Sequence, residues 1–399
     1  MLGHKPLSGI RVLDLSRVLA GPFCAMHLAD LGAEVIKIEL PVSGDDARRF
    51  PPLIPDSHDS AYYYSINRGK LGITLDLRQP EGAEILLALA ERADVVVENF
   101  SPGTMERFGV GYTQLERVNA GIILCSISGF GQSGPLSAAP AYDIVAQALG
   151  GTMSLTGPEG GAPLRCGISI GDMVAALYGV IGIIGALRVR DQNGRGRHVD
   201  IAMLDCQVAF LETAMGIYSA TGEVPGPIGS RHPSITPFQE FSAADGYFVI
   251  AAGNDQLWRQ LCATVGLPNL AQDPRFIDNQ ARTRNHKALE EILNQHFRSQ
   301  PRAHWLAMLA EAKIPCAPVA TVAEVAANPH LQARRMILHA DHPNYPDLLV
   351  PGSPLKTVGD TASPNTRAPA LGEHTDHVLR ELLGYDAARL EMLRARKII

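Results

Sequence analysis

Short, continuously apolar runs alternate with longer amphipathic runs over the first half of the chain, which is the pattern of strands and helices in an α/β fold. One clear unit has a strand at 10–15, a helix at 23–31 that ends at Gly32, and a strand at 33–39. Such a βαβ unit builds a parallel sheet with a right-handed crossover. The same pattern predicts four more strands, at 71–77, 94–98, 122–127 and 198–203. We therefore expect a doubly wound parallel sheet.

The longest charge-free apolar run begins directly after a single carboxylate. Met173 to Leu187 carries no charged residue, and Asp172 stands at its start, behind Gly167 and Gly171. These glycines favour a close approach of the backbone to another segment. Asp172 is either a helix N-cap, which is a common role of Asp, or a nucleophile or base that a helix N-terminus keeps ionised. The two roles are compatible, and this stretch alone does not separate them.

The pattern changes after residue 220, where a long helix predicted at 204–220 ends. A Gly- and Pro-rich stretch is typical of a linker, and a hairpin with Asp245-Gly246 at its turn follows. We also predict three helices, at 255–265, 286–298 and 302–312. A late antiparallel strand pair is predicted at 342–354. The predicted organisation is a large domain whose N-terminal part is 1–220, a small domain at 225–325, and a C-terminal part at 326–399 that returns to the large domain.

Composition and charge exclude several classes of function. The formal net charge of −6 leaves no basic footprint for nucleic acid. The six Cys form no C-x-x-C pair and no zinc spacing, so we predict reduced thiols and no metal site. The N-terminus lacks the apolar segment of a secretory signal, and the charge-free runs are shorter than the roughly 18–20 residues that span a bilayer. We expect a cytoplasmic protein without a membrane or nucleic-acid partner.

Gly129 to Gly134 spells G-x-G-x-x-G after a predicted strand, which is the spacing of a dinucleotide-binding loop. That motif requires a helix to begin at once, but Pro135 follows directly and Pro140 comes soon after. No acidic residue stands about twenty positions later, where the ribose would need one. A nicotinamide-dependent dehydrogenase therefore stays a distant alternative, and an ordinary glycine loop is favoured.

A series of short motifs runs along nearly the whole chain. They are Val12–Pro22, Leu31–Glu39, Asn67–Lys70, Glu98–Gly103, Tyr142-Asp143 with Gln147, Gly171-Asp172, Gly194–Asp200, Ile314–Pro318 and Leu371–Thr375. Each motif is weak by itself, but their order and spacing together resemble the family III CoA-transferases of the CaiB/BaiF, or formyl-CoA transferase, type. Within that family, the chain most resembles the branch of succinyl-CoA:dicarboxylate and oxalate CoA-transferases.

The resemblance implies both a fold and a reaction. The fold would be a split Rossmann-like large domain with a parallel sheet plus a small α+β domain, and two chains would interlock as a homodimer. Asp172 would be the nucleophile that attacks an acyl-CoA thioester and then carries CoA as an aspartyl thioester. Coenzyme A thioester would be a substrate, and no cofactor would be bound permanently. Exchange of one thioester for another is nearly neutral in energy, which is consistent with the absence of a P-loop motif.

The resemblance also assigns CoA-binding positions. They are Val18, Leu19, Ala20, Leu75, Arg78, Asn99, Phe100, Ser101, Arg107 and Tyr142. Leu19 stands where formyl-CoA transferase has Gln, and Leu40 and Pro140 replace two of its cationic contacts. For Arg78 and Arg107, the alternative is an ordinary solvated helix face.

The choice of reaction and substrate rests on single positions. CoA-thioester racemases that resemble this chain have His where Tyr142 stands, and racemisation needs a second proton carrier. Tyr142 therefore favours transfer, with the racemase as an alternative and a non-catalytic binding module least favoured. A dicarboxylate needs a donor for its remote carboxylate, for which we predict Arg231 and His232, with Arg165 behind them; ordering of the loop is the alternative role for His232. We expect transfer from succinyl-CoA to an acid such as itaconate, glutarate or citramalate, with oxalate- or formyl-CoA-type transfer as the alternative.

Overall fold

The computed structural model describes residues 5–55, 57, 59–356 and 364–399. The chain forms two compact units. The first comprises the described parts of Met1–Thr152, Arg165–Met215 and Pro329–Ile399, and the second comprises Met153–Leu164 and Gly216–Asn328. The predicted small domain, 225–325, lies within the second unit. That unit additionally contains residues 153–164, which the sequence analysis had placed in the large domain.

The first unit is built on a six-stranded sheet whose described strands are all parallel. Its strands are β1 (Arg11–Asp14), β2 (Glu34–Glu39), β3 (Leu71–Thr74), β4 (Val95–Glu98), β5 (Ile123–Ser128) and β6 (His198–Ala202). They lie in the order β3-β2-β1-β4-β5-β6. The order reverses between β1 and β4, so the sheet has a switch point where loops diverge and leave a crevice. The prediction of a mixed α/β fold with a parallel sheet is confirmed.

Helices connect these strands and continue along the chain. They are α1 (Ala20–Asp30), α2 (Ala61–Asn67), α3 (Pro80–Ala90), α4 (Thr104–Arg107), α5 (Tyr112–Val118), α6 (Asp143–Leu149), α7 (Thr152–Leu155), α8 (Ile170–Asn193), α9 (Met203–Ala209), α10 (Ala214–Thr221), α11 (Asp255–Thr264), α12 (Asn279–Arg284), α13 (His286–Phe297), α14 (Arg302–Glu311), α15 (Val322–Ala326), α16 (Pro329–Ala333), α17 (Thr375–Leu383) and α18 (Ala387–Ala395). Short 3₁₀ segments lie at Asp46–Arg49 and Pro268–Gln272.

Both faces of the parallel sheet are covered, which explains why its strands are almost continuously apolar. Leu13 and Ile36 point into a core shared with α3, α5, α17 and α18. Val12 and Val35, one residue away, point into a second core shared with α1 and α8. Because successive strand side chains alternate between faces, both faces of each strand had to be apolar. The C-terminal helices thus complete the core on one face of the sheet.

Helix α8 is the charge-free run of the sequence analysis, extended at both ends. By length and composition it could cross a membrane, although half of its apolar window is buried inside the protein. Core helices of soluble proteins meet the same criteria, and α8 packs with Val174, Ile183 and Leu187 against α1 and the sheet. Its opposite side, with Leu177, Ile181 and Ile184, is exposed.

Two predicted elements differ from the observed ones. The helix expected at 204–220 is broken into α9 and α10, and Glu212 between them has a φ of 53°, which no α-helix accommodates. The late strand pair consists of β10 (Ile337–His339) and β11 (Leu349–Pro351), so its first strand lies before residue 342. Pro343 and Pro346 cannot donate ladder hydrogen bonds, which keeps this part of the predicted range in a loop.

The second unit has its own core around a small antiparallel sheet. That sheet consists of β7 (Phe238–Ala243), β8 (Gly246–Ala251) and β9 (Cys316–Pro318). The predicted hairpin is confirmed, with Ala243 paired to Gly246 across the turn. Trp258, Phe297 and Trp305 pack with the sheet in one apolar cluster. The sequence did not predict α12, whose Asp278 caps the Ala281 N–H.

Candidate active site

A cavity of about 660 Å³ opens in the first unit at the carboxyl ends of the parallel strands. Its walls come from the loops that follow β1 to β5, where parallel folds usually bind ligands. Of the positions assigned to CoA, those that line it are Val18, Leu19, Ala20, Leu75, Arg78, Asn99, Phe100, Ser101 and Tyr142. These assigned positions therefore form one continuous surface in the structure. The individual role of each residue stays a prediction.

The two arginines predicted to bind CoA have different surroundings. Arg78 lines the cavity, and its guanidinium donates to both oxygens of Asp76, at 2.8 and 2.9 Å. Arg107 does not line it; its side chain is exposed at the end of α4 and donates to the Thr104 hydroxyl at 2.6 Å. Thr104 itself is part of the cavity wall. Leu40 and Pro140 also line the cavity and add no charge there.

The loop after β1 is held in a strained conformation by a buried ion pair. Val18 has a φ of 66°, which is unusual for a β-branched residue. Its N–H donates to both carboxylate oxygens of Asp45, at 3.0 and 3.2 Å. The Lys37 ammonium, fully buried, donates to Asp45 at 3.0 Å and to the Ser16 carbonyl at 2.9 Å. These contacts fix the backbone that forms one wall of the cavity.

A second set of contacts connects this loop to the one after β4. The side-chain amide of Asn99 accepts from the Arg17 N–H at 2.7 Å and donates to the Arg17 carbonyl at 2.8 Å. Behind it, a carboxylate oxygen of Glu98 accepts from the Phe100 N–H at 2.7 Å. Burial raises the pKa of Glu98 to about 7. The two loops therefore form one preorganised wall before any ligand arrives.

Asp172 lies in the first turn of α8 and is not its N-cap. The residue before the helix is Ser169, and no side chain caps the helix there. The predicted close approach is confirmed for Gly171, whose N–H donates to Asp143 at 2.7 Å and where a Cβ would lie 2.9 Å from that oxygen. Gly167 has open space around it. The N-cap role for Asp172 is therefore wrong, and its carboxylate is left to line the cavity.

The electrostatic setting of Asp172 differs from the one expected at a helix N-terminus. Burial, reinforced by the nearby negative charge of Asp143, raises its pKa from 3.8 to about 7. The carboxyl group therefore titrates near neutral pH. A carboxylate with so little stabilisation by solvent is a stronger nucleophile once it is ionised.

A second cavity, of about 690 Å³, shares part of its wall with the first. Four residues line both cavities, and they are Val18, Asp46, Tyr142 and Asp172. The second cavity is otherwise lined by Tyr62, Phe50, Ile144 and a few polar side chains. The Tyr62 hydroxyl has a raised pKa because of burial and of the neighbouring Asp172 charge. Asp172 is therefore accessible from two spaces.

Arg231 and His232 lie in the second unit and make local contacts there. The His232 Nδ1 accepts from the Ser234 N–H at 3.2 Å, so the neutral ring carries its proton on Nε2. Arg231 donates weakly to the His232 carbonyl at 3.4 Å. Their predicted role in binding the remote carboxylate stays a prediction.

The glycine motif after β5 does not begin a helix. The next helix, α6, starts only at Asp143, and Gly131 adopts a φ of 83° in the loop between them. The neighbouring Gln132 N–H donates to both oxygens of Asp200, at 3.1 and 3.0 Å. No phosphate-binding helix N-terminus follows the motif, and the interpretation as an ordinary glycine loop is supported.

Sequence reasoning missed several residues of the site. Arg17 lines the first cavity and forms an ion pair with Asp46, although it stands inside the motif at 12–22. Lys37 and Asp45 carry no local signal, because their pairing depends on the packing of β2 against the loop after β1. Tyr62 lies on α2, a helix that the apolar pattern of the sequence does not predict, so its place in the site follows only from the burial of that helix.

Comparison with known proteins agrees with this geometry. The family description "CoA-transferase family III" matches residues 7–375. The chain is 41% identical over 384 residues to an acetyl-CoA:oxalate CoA-transferase of Acetobacter aceti, covering 96% of this chain and 97% of that one. It is 38% identical to the mouse succinyl-CoA:glutarate CoA-transferase, covering 99% and 90%.

Solved structures lead to the same result. A CAIB/BAIF family protein from Brucella suis superposes with a TM-score of 0.86 at 38% identity, covering 95% of this chain and 100% of that one. The match thus extends over nearly the whole chain. The ordered motifs, the parallel sheet with Asp172 at its crevice and these similarities together show that the chain belongs to the family III CoA-transferases.

Proposed function

We propose that this enzyme transfers CoA from an acyl-CoA donor, with succinyl-CoA favoured, to a free dicarboxylic acid such as itaconate, glutarate or citramalate. The observation that carries the proposal is Asp172, a weakly solvated carboxyl group accessible from two cavities. One cavity is lined by the positions that the family resemblance assigns to CoA. The glutarate-using mouse relative supports the dicarboxylate, and the oxalate-using relative keeps oxalate as the second candidate acceptor.

The proposed mechanism runs through Asp172 in two symmetrical halves. An Asp172 oxygen attacks the thioester carbonyl, the C–S bond breaks, and a mixed anhydride and CoA thiolate result. The thiolate then attacks the Asp172 carbonyl, which releases the donor acid and leaves an aspartyl-CoA thioester. A carboxylate oxygen of the acceptor displaces the thiolate again, and the thiolate attacks the acceptor side of the new anhydride. Asp172 is regenerated as a carboxylate, and no oxidant or nucleotide is consumed.

The function is tested by a screen of acceptor acids with succinyl-CoA and acetyl-CoA as donors, analysed by mass spectrometry. We expect new CoA thioesters from dicarboxylates of four or five carbons at rates well above those from acetate. Hydroxylamine added during turnover should convert Asp172 to a hydroxamate, because it intercepts both the anhydride and the thioester. Failure of every acid to accept CoA would remove the proposal. Exchange of an α-proton in D2O without any acceptor would favour the racemase instead.

We propose further that two chains interlock as a homodimer in the cytoplasm. The six cysteines are all free thiols, which fits a reducing compartment. On α8, Leu177, Ile181 and Ile184 are 45%, 64% and 40% exposed, and their spacing places them on one helix face. The same unit also exposes Val208, Phe210 and Met215, among other large apolar side chains. So much exposed apolar surface is unusual for a monomer and supports burial against a second copy.

Ile181→Asp is expected to prevent dimer formation. Burying an unpaired carboxylate at the centre of an apolar interface is strongly unfavourable. Size-exclusion chromatography with light scattering should give twice the mass of one chain for the unmodified protein and the mass of one chain, or aggregate, for the variant. Ile277→Asp, at a position in the second unit that is 53% exposed, is the matched control and should stay dimeric. A wild-type protein that elutes as a single chain at micromolar concentration contradicts the proposal.

A further inference from the structure

The second cavity has the size and position of a subsite for a small acid. It shares Val18, Asp46, Tyr142 and Asp172 with the first cavity, so a molecule inside it reaches the same carboxyl group. Of the positions assigned to CoA, it contains only Val18 and Tyr142. Phe50, Tyr62 and Ile144 give it an apolar wall against which a short methylene chain can pack.

Two arginines provide positive charge in this cavity. Arg49 and Arg165 are the cations among the described residues that line it. Arg49 donates to Asp46 at 2.7 Å and to the Ser43 carbonyl at 3.1 Å, with 61% of its side chain exposed. Arg49 shares the Asp46 carboxylate with Arg17, which also forms an ion pair with it. The Arg49 guanidinium therefore has donors left for a ligand, because it carries five N–H groups.

Arg165 is held even more loosely. Its closest carboxylate oxygen is Asp143 Oδ2, at 3.7 Å, which is beyond hydrogen-bond distance. That oxygen already accepts from the Gln147 amide at 2.7 Å, and the other Asp143 oxygen accepts from the Gly171 N–H at 2.7 Å. The Asp143 carboxylate is thus satisfied by other donors. The Arg165 fork is left facing the cavity, with 43% of the side chain exposed.

Resting on the proposed transfer to a dicarboxylate, we infer that Arg165, with Arg49 beside it, binds the remote carboxylate of the acid in the second cavity. The near carboxyl group of that acid then lies at Asp172. A paired guanidinium–carboxylate contact is strong and directional, which suits selection of acids that carry a second charge. These two residues are a specificity determinant distinct from Arg231 and His232 of the second unit.

The negative charge of the second cavity is lowest at the step of the proposed reaction in which the free acid binds. In the resting enzyme the lining carries Asp46, Asp143 and an ionisable Asp172 against the two arginines. Conversion of Asp172 to the aspartyl-CoA thioester removes its negative charge. The remaining two carboxylates are then balanced by the two guanidinium groups. An incoming dianion therefore meets less repulsion after CoA loading than before it.

The test compares acids of matched length with and without the second carboxylate. Rates of CoA transfer from succinyl-CoA to isotope-labelled succinate and to butyrate, and to glutarate and valerate, are measured for wild type, Arg165→Ala, Arg49→Ala/Arg165→Ala and Arg231→Ala. Arg394→Ala changes an exposed arginine on α18, away from either cavity lining, and serves as the control. The double variant should lower the succinate-to-butyrate ratio of kcat/KM about 10- to 100-fold, the usual effect of losing hydrogen bonds to a charged group. The change should lie mainly in the KM of the dicarboxylate.

The outcomes separate this inference from the proposed function. If wild type transfers CoA to no acid, the proposed function fails and this inference fails with it. If wild type prefers dicarboxylates and the double variant keeps that preference within threefold, the inference alone is overturned, and a lost preference in Arg231→Ala would assign the contact to the second unit. A tenfold or larger fall in the double variant, with Arg394→Ala unchanged, supports it. Circular dichroism confirms that each variant is folded.

Discussion

Asp172→Asn is expected to reduce CoA exchange by at least about 1000-fold, because removal of a covalent nucleophile eliminates the catalysed route. Asn has nearly the same shape, so the two cavities that share this position should persist. Its amide can form neither the anhydride nor the aspartyl-CoA thioester. The measurement is transfer of CoA from succinyl-CoA to glutarate, together with the disappearance of the hydroxamate at this residue. Retention of a tenth of the wild-type rate would exclude Asp172 as the nucleophile.

The same substitution should raise stability at alkaline pH. The pKa of Asp172 is raised in the folded protein, from 3.8 to about 7, by burial and by Asp143. The folded state therefore binds a proton more tightly than the unfolded state, and stability falls as pH rises from about 4 to about 7. Asn has the shape of the protonated carboxyl group and does not ionise, so its stability does not fall in this pH range. We expect a gain of about 1 to 2 kcal/mol at pH 8, reduced from the roughly 4 kcal/mol of the full shift by partial exposure.

Thermal unfolding at two pH values is the control for that interpretation. At pH 5 position 172 is neutral in both folded proteins, and only part of the wild type's loss of stability between about pH 4 and about pH 7 has occurred, so the two melting temperatures should differ less than at pH 8. At pH 8 the variant should melt higher. Equal melting temperatures at both pH values would mean that the carboxyl is well solvated, and the argument for its reactivity would lose its electrostatic basis. In the wild type, the rate should also rise with pH through about 7, as the nucleophile ionises.

The sheet could be predicted because its physical signal is local. A parallel strand covered on both faces is an uninterrupted apolar run. Arg11–Asp14 and Val95–Glu98 lie within predicted strands, and Ile123–Ser128 extends one residue beyond the strand predicted at 122–127. Loops at the carboxyl ends of such strands converge by topology alone. Val18 and Asn99 were assigned by the family resemblance, and their positions after β1 and β4 explain why both line the cavity.

The electrostatics of the site could not be predicted in the same way. Asp143 lies 29 residues before Asp172 in the chain, and nothing in either motif shows that it raises the pKa of Asp172. The N-cap role failed because α8 begins at Ile170, three residues before Met173, where the apolar run starts. Apolar periodicity does not define the first residue of a helix to within one turn. A shift of that size decides whether Asp172 is the N-cap or lies inside the helix.

The second cavity was missed for a related reason. Arg49 and Arg165 are more than a hundred positions apart, and each alone has the appearance of an exposed arginine. Both arginines line the second cavity only because two segments pack around Asp172. These are the segment at 46–50 and the segment that precedes α8. Sequence reasoning placed Arg165 only behind Arg231 and His232 of the second unit, and it did not single out Arg49. A contact of this kind becomes visible only when loops distant in sequence share a surface.

Lys37→Met is expected to destabilise the first unit by about 3 to 5 kcal/mol, because it leaves a buried carboxylate without its counter-charge. Lys37 and Asp45 are both fully buried. Burial opposes the charge on each, but Asp14 and Asp45 together raise the pKa of Lys37, and Lys37 with the Ala47 and Val18 N–H groups lowers that of Asp45. The native state thus depends on both charges. Urea unfolding measured by fluorescence or circular dichroism gives the difference.

The variant should also affect the reaction at temperatures where it is still folded. Asp45 holds the Val18 N–H at a φ of 66°, and Lys37 holds the Ser16 carbonyl. Without the ammonium, we expect the loop between them to relax towards an ordinary conformation and to misplace the wall shared by the two cavities. The control is Arg394→Met, which removes an exposed partner of Asp376 and should cost less than about 1 kcal/mol. If Lys37→Met costs no more than this control, the buried pair does not hold the loop, and the strain at Val18 must be supported by Asn99 and its contacts with Arg17 instead.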